Sequence, residues 1–468
     1  MPVFFRALGA AVCQGLGRYW PWRWRCALVL ALYAAYLPLS GYDRLPFDAG
    51  EYWHLAATFF GPGLRFSLLN YADPLRGYLG PLLLVPGRVL CYATGWPALA
   101  GARVLGAGWA VLLFGVAVPA AWRAATGRAL RGGAWLLAVG LGFVFWRGYF
   151  NFSLQDVPAL TLLLLALAAL ARPDWHWAAL GGLLLAAALN LRPIYLASVP
   201  GAAGWLWWHA RGAGRGPALR KWTALVGGAA LVLLPQAAIN YDHSGRATPL
   251  VLAAVDGHPP LYLRQLNWGT AYQRYETSLD PMHRGSVVFA DSVGARQLRA
   301  EPGSFFGSYG QFIGFAARHP LGVGTRCARH LFNGLDVWYP TPYPRRLYPV
   351  GPGAWQLLNY AVLALGLARL LLRKPKFARG PGAGWALLAL GLPVALALPT
   401  LVECRFLLPL HLLLLTAAAD GFRPQRWWAL PRWRLAAALA LLAVALWGGW
   451  QLSAATAGQL QAGDEPTY

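Results

Sequence analysis

Charged residues are scarce in this chain. Asp, Glu, Lys and Arg make up 12% of its 468 residues, and only 17 residues are acidic. Soluble globular proteins carry about 25% charged residues, so this composition excludes an ordinary soluble domain. Hydrophobic residues account for 57% of the sequence, and the mean hydropathy is +0.43. Length and composition together predict an all-α polytopic membrane protein built as one large helical bundle.

Cysteine is also rare. The five cysteines are Cys13, Cys26, Cys91, Cys327 and Cys404, and no two of them form a C-x-x-C pair. Their spacing indicates neither a zinc site nor a disulfide framework, although one bridge, such as Cys91 to Cys327, stays open. The sequence has no G-x-x-x-x-G-K-[ST] phosphate loop and no H-E-x-x-H or G-x-S-x-G motif. We therefore expect no bound cofactor and no metal ion.

The basic residues fall in short clusters between apolar runs, although the formal net charge is +23. This arrangement is typical of membrane topology, so nucleic acid is not an expected partner. Four arginines precede the first apolar run and place the N-terminus in the cytoplasm. That run, Ala27 to Leu39, lacks an A-x-A cleavage site and is interpreted as a retained signal anchor. The clusters assigned to the cytoplasm are Arg6, Arg18, Arg23 and Arg25; Arg123, Arg128 and Arg131; Arg172; Arg211, Arg215, Arg220 and Lys221; Arg373, Lys374, Lys376 and Arg379; and Arg423, Arg426, Arg432 and Arg434.

Eleven apolar segments between these clusters are predicted to cross the membrane. A further apolar run, 78–95, is interrupted by Pro81, Pro86 and Arg88. It is assigned to the outer interface, because counting it as a span would reverse every later basic cluster. The predicted spans are residues 26–41, 99–122, 133–148, 157–171, 175–190, 193–209, 222–239, 353–372, 382–400, 405–419 and 435–451.

These spans divide the chain into three regions. We expect an N-terminal transmembrane catalytic module (1–240) with a first outer loop (42–98), an extracytoplasmic cap (241–352) and C-terminal transmembrane helices (353–468). Within the cap, residues 310–335 have few acids and several arginines, which predicts one helix lying on the membrane surface.

Asp48 follows the first span directly and is the leading candidate for chemistry. Asp48 and Glu51 have the spacing of a capping box, which predicts an N-cap opening an amphipathic helix through Tyr52, Leu55 and Phe59. A structural cap and a catalytic role are compatible, because a capped helix start holds a carboxylate rigidly.

Further charged residues occupy the short outer turns. Arg147, Asp156, Arg192, Glu403 and Arg405 lie at predicted membrane depth, where a charge costs several kcal/mol unless it is paired or hydrated. Any one of these arginines could simply extend to the interface. Several of them converging on one face, together with acids, favour a phosphate site.

The cap combines aromatic with acidic residues. Trp268 and Tyr272 are candidates to stack on a sugar, with Tyr52 and Glu403 contributing from outside the cap. The alternative is that the cap aromatics form an ordinary hydrophobic core.

The order of these features resembles the GT-C membrane glycosyltransferases. The residues that carry the resemblance are the outer segment Asp48 to Ala56, the run Asp73 to Tyr78, Arg103 at the second span, the turn Asp156-Val157-Pro158 and the later Glu403 to Pro409. The branch most similar is the protein mannosyltransferase-like one, which includes the bacterial transferase that adds aminoarabinose to lipid A. The resemblance covers about residues 26–240.

This resemblance implies a GT-C-like bundle and a catalytic base at Asp48, with Asp156 as its partner. The family's frequent acidic pair is here Asp48-Ala49, with the second acid displaced to Glu51. Because a D-x-D motif is absent, we expect a metal-independent mechanism. Arg147, Arg192, Arg405 and Arg76 are the candidates for holding the donor phosphate, since arginine stays charged and binds two oxygens.

The expected reaction is inverting transfer of a sugar from a polyprenyl-phosphate donor to a lipid, glycan or protein acceptor. It would take place at the periplasmic face of a bacterial inner membrane, with the bilayer as a partner. Two alternatives stay open: a polysaccharide polymerase or ligase, and a flippase for polyprenyl-linked oligosaccharides.

Overall fold

A computed structural model describes residues 20–212, 214–255, 257–347, 353–371, 382–423 and 431–461. Helices dominate these residues. Their bounds are α1 Trp22–Leu39, α2 Phe47–Leu55, α3 Leu79–Leu82, α4 Val85–Thr94, α5 Ala98–Thr126, α6 Gly132–Trp146, α7 Asp156–Leu170, α8 Trp175–Leu191, α9 Val199–Ala210, α10 Arg215–Ser244, α11 Leu261–Ala271, α12 Ser292–Arg299, α13 Tyr309–Arg318, α14 Pro320–Leu335, α15 Ala354–Leu371, α16 Ala383–Ala397, α17 Leu408–Gly421 and α18 Arg432–Ala457.

A helix lies at each of the eleven positions predicted as spans. Within the described residues, six helices are long and apolar enough to cross a membrane, so the chain is a predominantly helical protein with membrane-type helices. These are α5, α10, α15, α18 and two runs that each join a 3-10 turn to a helix: Gly132–Asn151, which contains α6, and Cys404–Gly421, which contains α17. Shorter apolar helices stand at several other predicted spans, and the total of eleven crossings stays a prediction.

Helices α7 and α17 end beside basic residues. Lys221 donates from Nζ to the carbonyl of Arg172 at 3.3 Å, and Arg369 pairs with Asp420 at 2.7 Å. The other ends of these two helices lie at the predicted outer segments, where Arg103 donates to Asn151 and to the carbonyl of Tyr42. Members of the predicted clusters that lie outside the described residues are Arg6, Arg18, Arg373, Lys374, Lys376, Arg379 and Arg426.

Helix α5 contains a π-helical turn at Val111–Ala117, and Pro119 explains it. Proline has no N–H to give to the carbonyl four residues earlier. The N–H of Val118 reaches the carbonyl of Leu113, and the carbonyl of Phe114 accepts instead from the buried indole of Trp135 at 2.8 Å. The carbonyl of Phe114 is therefore hydrogen-bonded, so the π-helical turn does not leave it unsatisfied.

A directed hydrogen-bond chain ties the two halves of the bundle together. The indole of Trp146 donates to Nδ1 of His411 at 2.9 Å, and Nε2 of His411 contacts Oδ1 of Asn359 at 2.8 Å. Asn359 in turn donates to the carbonyl of Leu335 at 2.7 Å. All three side chains are buried, so each polar group has its partner where water is excluded.

The cap contains a small antiparallel sheet, which the all-α expectation missed. Strands β1 Tyr272–Ser278 and β2 Gly285–Ala290 form a hairpin, and β3 Leu460–Gln461 pairs with β2 after the last helix. Two residues that follow the last helix thus complete a sheet whose other strands lie about 180 positions earlier. The pairing also shows that α18 ends on the same side as the cap.

Two local predictions were wrong, and one open alternative is decided. Helix α2 begins at Phe47 with Pro46 as its N-cap and ends at Leu55, so Asp48 lies in the first turn and is not the cap. The predicted surface helix at 310–335 is two helices, because His319 precedes Pro320 and leaves the helical region (φ −125°, ψ 50°). The bridge between Cys91 and Cys327 that the sequence left open is absent, since both cysteines are free thiols.

Candidate functional site

A large cavity of about 1470 Å³ opens where the outer segments meet the bundle. It lies between the first outer loop, the ends of α7 and α8, the cap helix α11 and the segment before α17. Its lining includes three carboxylates and the three arginines that pair with them. These are Asp48, Asp156 and Glu403, with Arg76, Arg192 and Arg405.

Proline and helix ends place these side chains. Arg192 is the residue after α8 and precedes Pro193, which favours its extended backbone (φ −139°, ψ 101°) and ends the helix at the cavity. Asp156 is the first residue of α7, where the helix dipole favours a carboxylate. Asp48 follows Phe47, whose φ of 44° lies in the left-handed region that side chains rarely adopt.

Arg405 is shared by three carboxylates. Its Nη2 lies 3.3 Å from Oδ2 of Asp48, its Nη1 lies 3.9 Å from Oδ2 of Asp156, and its Nε donates to Oε2 of Glu403. Arg192 extends the network with a 2.8 Å contact to Oδ1 of Asp156, and Arg76 with a 3.4 Å contact to Oδ1 of Asp48. Alternating charges therefore run along one wall of the cavity.

Two carboxyls of this wall differ in acidity. Burial raises the pKa of Asp48, but the charges of Arg405 and Arg76 outweigh it and hold that pKa below the ordinary value. Burial also raises the pKa of Glu403, and here Arg405 offsets only part of the effect, so the pKa reaches about 7. Such a divergence between neighbouring carboxyls is typical of acid–base sites.

Asp156 offers a free acceptor to the cavity. Its side chain is 6% exposed, and Oδ2 has no hydrogen-bond donor among the described residues. A buried carboxylate oxygen without a donor is costly unless a bound group or water supplies one. A hydroxyl in the cavity would satisfy it.

Eight of the residues predicted from the sequence come together at this cavity. They are Asp48, Asp156, Arg192, Arg405, Arg76, Tyr52, Trp268 and Glu403. The structure places Arg147, Glu51 and Tyr272 elsewhere, outside the cavity lining.

Arg147 shows why. Its Nη1 donates to the carbonyl of Val144 at 2.7 Å, and its guanidinium lies over the rings of Tyr36 and Trp355. It therefore packs against aromatic rings of the bundle, and its predicted place in the phosphate site is not supported. Glu51 is exposed on α2, and Tyr272 begins β1, where its carbonyl contacts Nε2 of His330.

Several lining residues were not singled out from the sequence. Arg264 on α11 lies over the ring of Trp268 at 5.5 Å, and no described carboxylate is within ion-pairing distance of it. Phe406 lies beneath two guanidinium groups, those of Arg192 at 5.1 Å and Arg405 at 5.5 Å. The four-residue spacing of Arg264 and Trp268 on one helix face was the available signal.

The other wall of the cavity is apolar. It combines the 3-10 segment Pro193–Ser198 with α16. Leu196 and Leu396, one from each element, line the cavity and are both 47% exposed. The apolar lining residues here are Ile194, Leu196, Ala197, Pro200, Leu392, Pro393 and Leu396.

A second buried cluster supports the site from behind. Arg274 on β1 is 1% exposed, pairs with Glu276 at 2.6 Å and donates to the carbonyl of Asp336 at 2.9 Å. The thiol of Cys404, between Glu403 and Arg405, contacts the same carbonyl at 3.3 Å. The cap hairpin and the arginine-bearing segment are thus held in one arrangement.

No family model matches the sequence, and no curated protein or solved structure matches it significantly. The described residues also contain no cluster of three or more His, Cys, Asp or Glu side chains placed to hold a metal ion. The function therefore has to be argued from the cavity itself.

Proposed function

We propose that this chain is a membrane glycosyltransferase that moves a sugar from a polyprenyl-phosphate donor to a polar acceptor. The observation that carries the proposal is the two-sided cavity. One wall has three arginines and three carboxylates, and the other is apolar and includes the exposed side chains of Leu196 and Leu396. A lipid-linked sugar phosphate has the same division into an apolar chain and an anionic head.

The arginines fit a leaving phosphate. When the bond from the anomeric carbon to the phosphate oxygen breaks, negative charge grows on the phosphate, and nearby guanidinium groups stabilise that charge more than the ground state. Arg192 and Arg405 flank the cavity beside Asp156, and Arg264 faces it without a described counter-charge. Arg264 joins the phosphate candidates for that reason.

The cavity also offers groups for a sugar and a hydroxyl. Tyr52 and Trp268 present ring surface, and Oδ2 of Asp156 has room for a donor. A carboxylate that accepts the proton of the attacking hydroxyl typically contributes about 10² to 10⁴ in rate. Direct displacement of the phosphate would invert the anomeric centre.

The membrane arrangement completes the proposal. In this proposal the chain crosses the membrane eleven times with its basic turns in the cytoplasm, and the cavity lies at the periplasmic face of a bacterial inner membrane. The basic contact of Lys221 with Arg172 at the end of α7, whose first residue Asp156 lines the cavity, supports this orientation. The acceptor would be a lipid, a glycan or a protein that reaches this face.

The test uses purified full-length protein in nanodiscs with a panel of polyprenyl-phosphate sugars labelled in the sugar, and envelope fractions of the native organism as acceptors. We expect one donor to yield labelled acceptor and free polyprenyl phosphate, also in EDTA. If labelled lipid instead crosses the bilayer of proteoliposomes without release of polyprenyl phosphate, the protein is a flippase and the proposal is wrong.

A further inference from the structure

Three carboxylates line the cavity, and they differ in the cations and hydrogen-bond donors that contact their oxygens. Asp48 has one arginine on each oxygen, Arg76 on Oδ1 and Arg405 on Oδ2. Asp156 has Arg192 on Oδ1, while its Oδ2 lies 3.9 Å from Arg405 and has no hydrogen-bond donor among the described residues. The two guanidinium groups stabilise Asp48 as the anion, which makes that carboxylate a weak base.

The contacts of Glu403 differ from those of Asp48. Its Oε2 accepts from Nε of Arg405, but Oε1 has only a 3.4 Å contact from the hydroxyl of Thr277. That distance is long for a bond between two oxygens. The side chain is 8% exposed and lines the cavity, so Oε1 is placed to accept a proton from a hydroxyl bound there.

We propose that Glu403, rather than Asp48, accepts the proton of the attacking hydroxyl, and that Asp48 and Asp156 position Arg405 and Arg192 around the leaving phosphate. This inference rests on the proposed transfer reaction and assigns a role within the same site. It assigns the general base to the segment before α17, whereas the sequence predicted Asp48 in the first outer loop.

In the transfer step, one bond to the anomeric carbon forms as another breaks. The acceptor oxygen forms a bond to the anomeric carbon, and the bond from that carbon to the phosphate oxygen breaks with its electron pair going to phosphate. The hydroxyl proton passes to Oε1 of Glu403. Protonation removes one of the three anions that share Arg405, so the field of Arg405 is less offset at the moment when phosphate gains charge.

The electrostatic setting agrees with this role. A general base works best when its pKa is near the working pH. Burial brings the pKa of Glu403 to about 7, while Arg405 and Arg76 hold that of Asp48 low. The titratable and charged groups around Glu403 are Asp48 on α2, Tyr149 after α6, Arg274, Tyr275 and Glu276 on β1, Tyr343 in the cap, and Cys404 and Arg405 beside it.

The experiment compares Glu403→Gln, Glu403→Ala and Asp48→Asn with wild type in nanodiscs, using the labelled donor that wild type consumes. We expect Glu403→Gln to lower kcat at least ~100-fold while the donor Kd stays within about threefold, which also shows that the variant is folded. The fall in wild-type kcat below about pH 7 should disappear in Glu403→Gln and persist in Asp48→Asn. Formate should restore part of the activity of Glu403→Ala.

Two results would overturn the assignment. One is a Glu403→Gln enzyme that keeps kcat and its acid limb while Asp48→Asn loses the limb, which would return the base to Asp48. The other is loss of donor binding in Glu403→Gln and no rescue of Glu403→Ala by formate, which would make Glu403 a structural partner of Arg405. Absence of polyprenyl phosphate release by wild type is a separate outcome, and it overturns the transferase proposal together with this inference.

Discussion

At the scale of single residues, Arg405 organises the site. It is 9% exposed and shared by Asp48, Asp156 and Glu403, which come from three separate regions of the chain. Removing one member of a buried ion network leaves uncompensated charge and commonly costs about 3 to 5 kcal/mol. The same arrangement keeps a guanidinium fixed next to a cavity wide enough for a phosphate.

The first prediction compares Arg405→Lys with Arg405→Ala. Both variants should weaken donor use more than acceptor use, because a charge-assisted contact to phosphate contributes roughly 1.5 to 3 kcal/mol. Lysine should restore only part of the loss, since it keeps the charge without the planar fork. Apparent constants for donor and acceptor measure this. A donor constant that is unchanged in both variants would exclude Arg405 from the phosphate site.

The second prediction concerns stability and pH. Because the pKa of Glu403 rises from 4.5 to about 7 on folding, the folded state favours the protonated form. The stability from this group is complete below the unfolded pKa and is lost as pH rises through 7. Glutamine does not titrate, so Glu403→Gln should gain stability relative to wild type between pH 5 and pH 8, by roughly 3 kcal/mol at most. Thermal midpoints in detergent test this; a constant difference across that range contradicts it.

At the scale of elements, breaks between helices carry the site. Arg192 stands where Pro193 ends α8, and Glu403 lies in extended backbone (φ −109°, ψ 154°) before the 3-10 turn Cys404–Leu407. The adjoining loop bonds to the cap, since Leu401 donates to the carbonyl of Gln265 and Tyr275 donates to that of Val402. Rigid helices hold these irregular segments in place.

The third prediction tests the lipid opening. Leu196→Trp together with Leu396→Trp should narrow the lateral end of the cavity and raise the donor constant at least ~10-fold, while donor with a shortened prenyl chain is less affected. Leu439→Trp is the matched control, because Leu439 is 52% exposed on α18 and lies outside the cavity lining. Equal donor constants in all three proteins would mean that the chain does not enter here.

The fourth prediction tests contact between cap and loop. A Cβ on Gly269 of α11 would lie 2.3 Å from the carbonyl carbon of Thr400, so Gly269→Ala must displace the loop that carries Glu403. We expect lower kcat and a lower thermal midpoint. Gly314→Ala on α13 is the control, because its Cβ meets nothing within 4 Å and alanine favours a helix. Equal activity in both variants would show that the cap does not position the loop.

At the scale of the whole molecule, the two ends differ in chemistry. Helices α7 and α17 lead from the cavity to the basic residues at Arg172 and Arg369, while the cap and the sheet that β3 completes lie on the cavity side. In the proposed reaction the lipid donor would enter from the side and the acceptor from the outer face.

The fifth prediction fixes the orientation. In a chain whose Cys13, Cys26, Cys91 and Cys327 are replaced, a membrane-impermeant maleimide should label Met282→Cys in spheroplasts, since Met282 is 81% exposed between β1 and β2. Gly212→Cys, in the basic turn after α9, should react only after lysis. Cys404 is buried and can be kept. The reverse labelling pattern would place the cavity in the cytoplasm.

The sequence by itself determined the membrane class and the position of the helices, because hydropathy and arginine clustering are local properties of a chain. It also marked Asp48, Asp156, Arg192 and Arg405, since charge next to an apolar span is conspicuous. It missed the sheet, because β3 reaches β2 from the far end of the chain and no short-range pattern announces that pairing.

Only the tertiary structure decided which charges work together. Asp48 and Arg405 are 357 positions apart, and their contact depends on the packing of the whole bundle. The same packing separated two arginines that look alike in sequence: Arg147 lies against aromatic rings, while Arg192 faces the cavity. The different acidities of Asp48 and Glu403 follow from burial and neighbouring guanidinium groups, which exist only once the chain has folded.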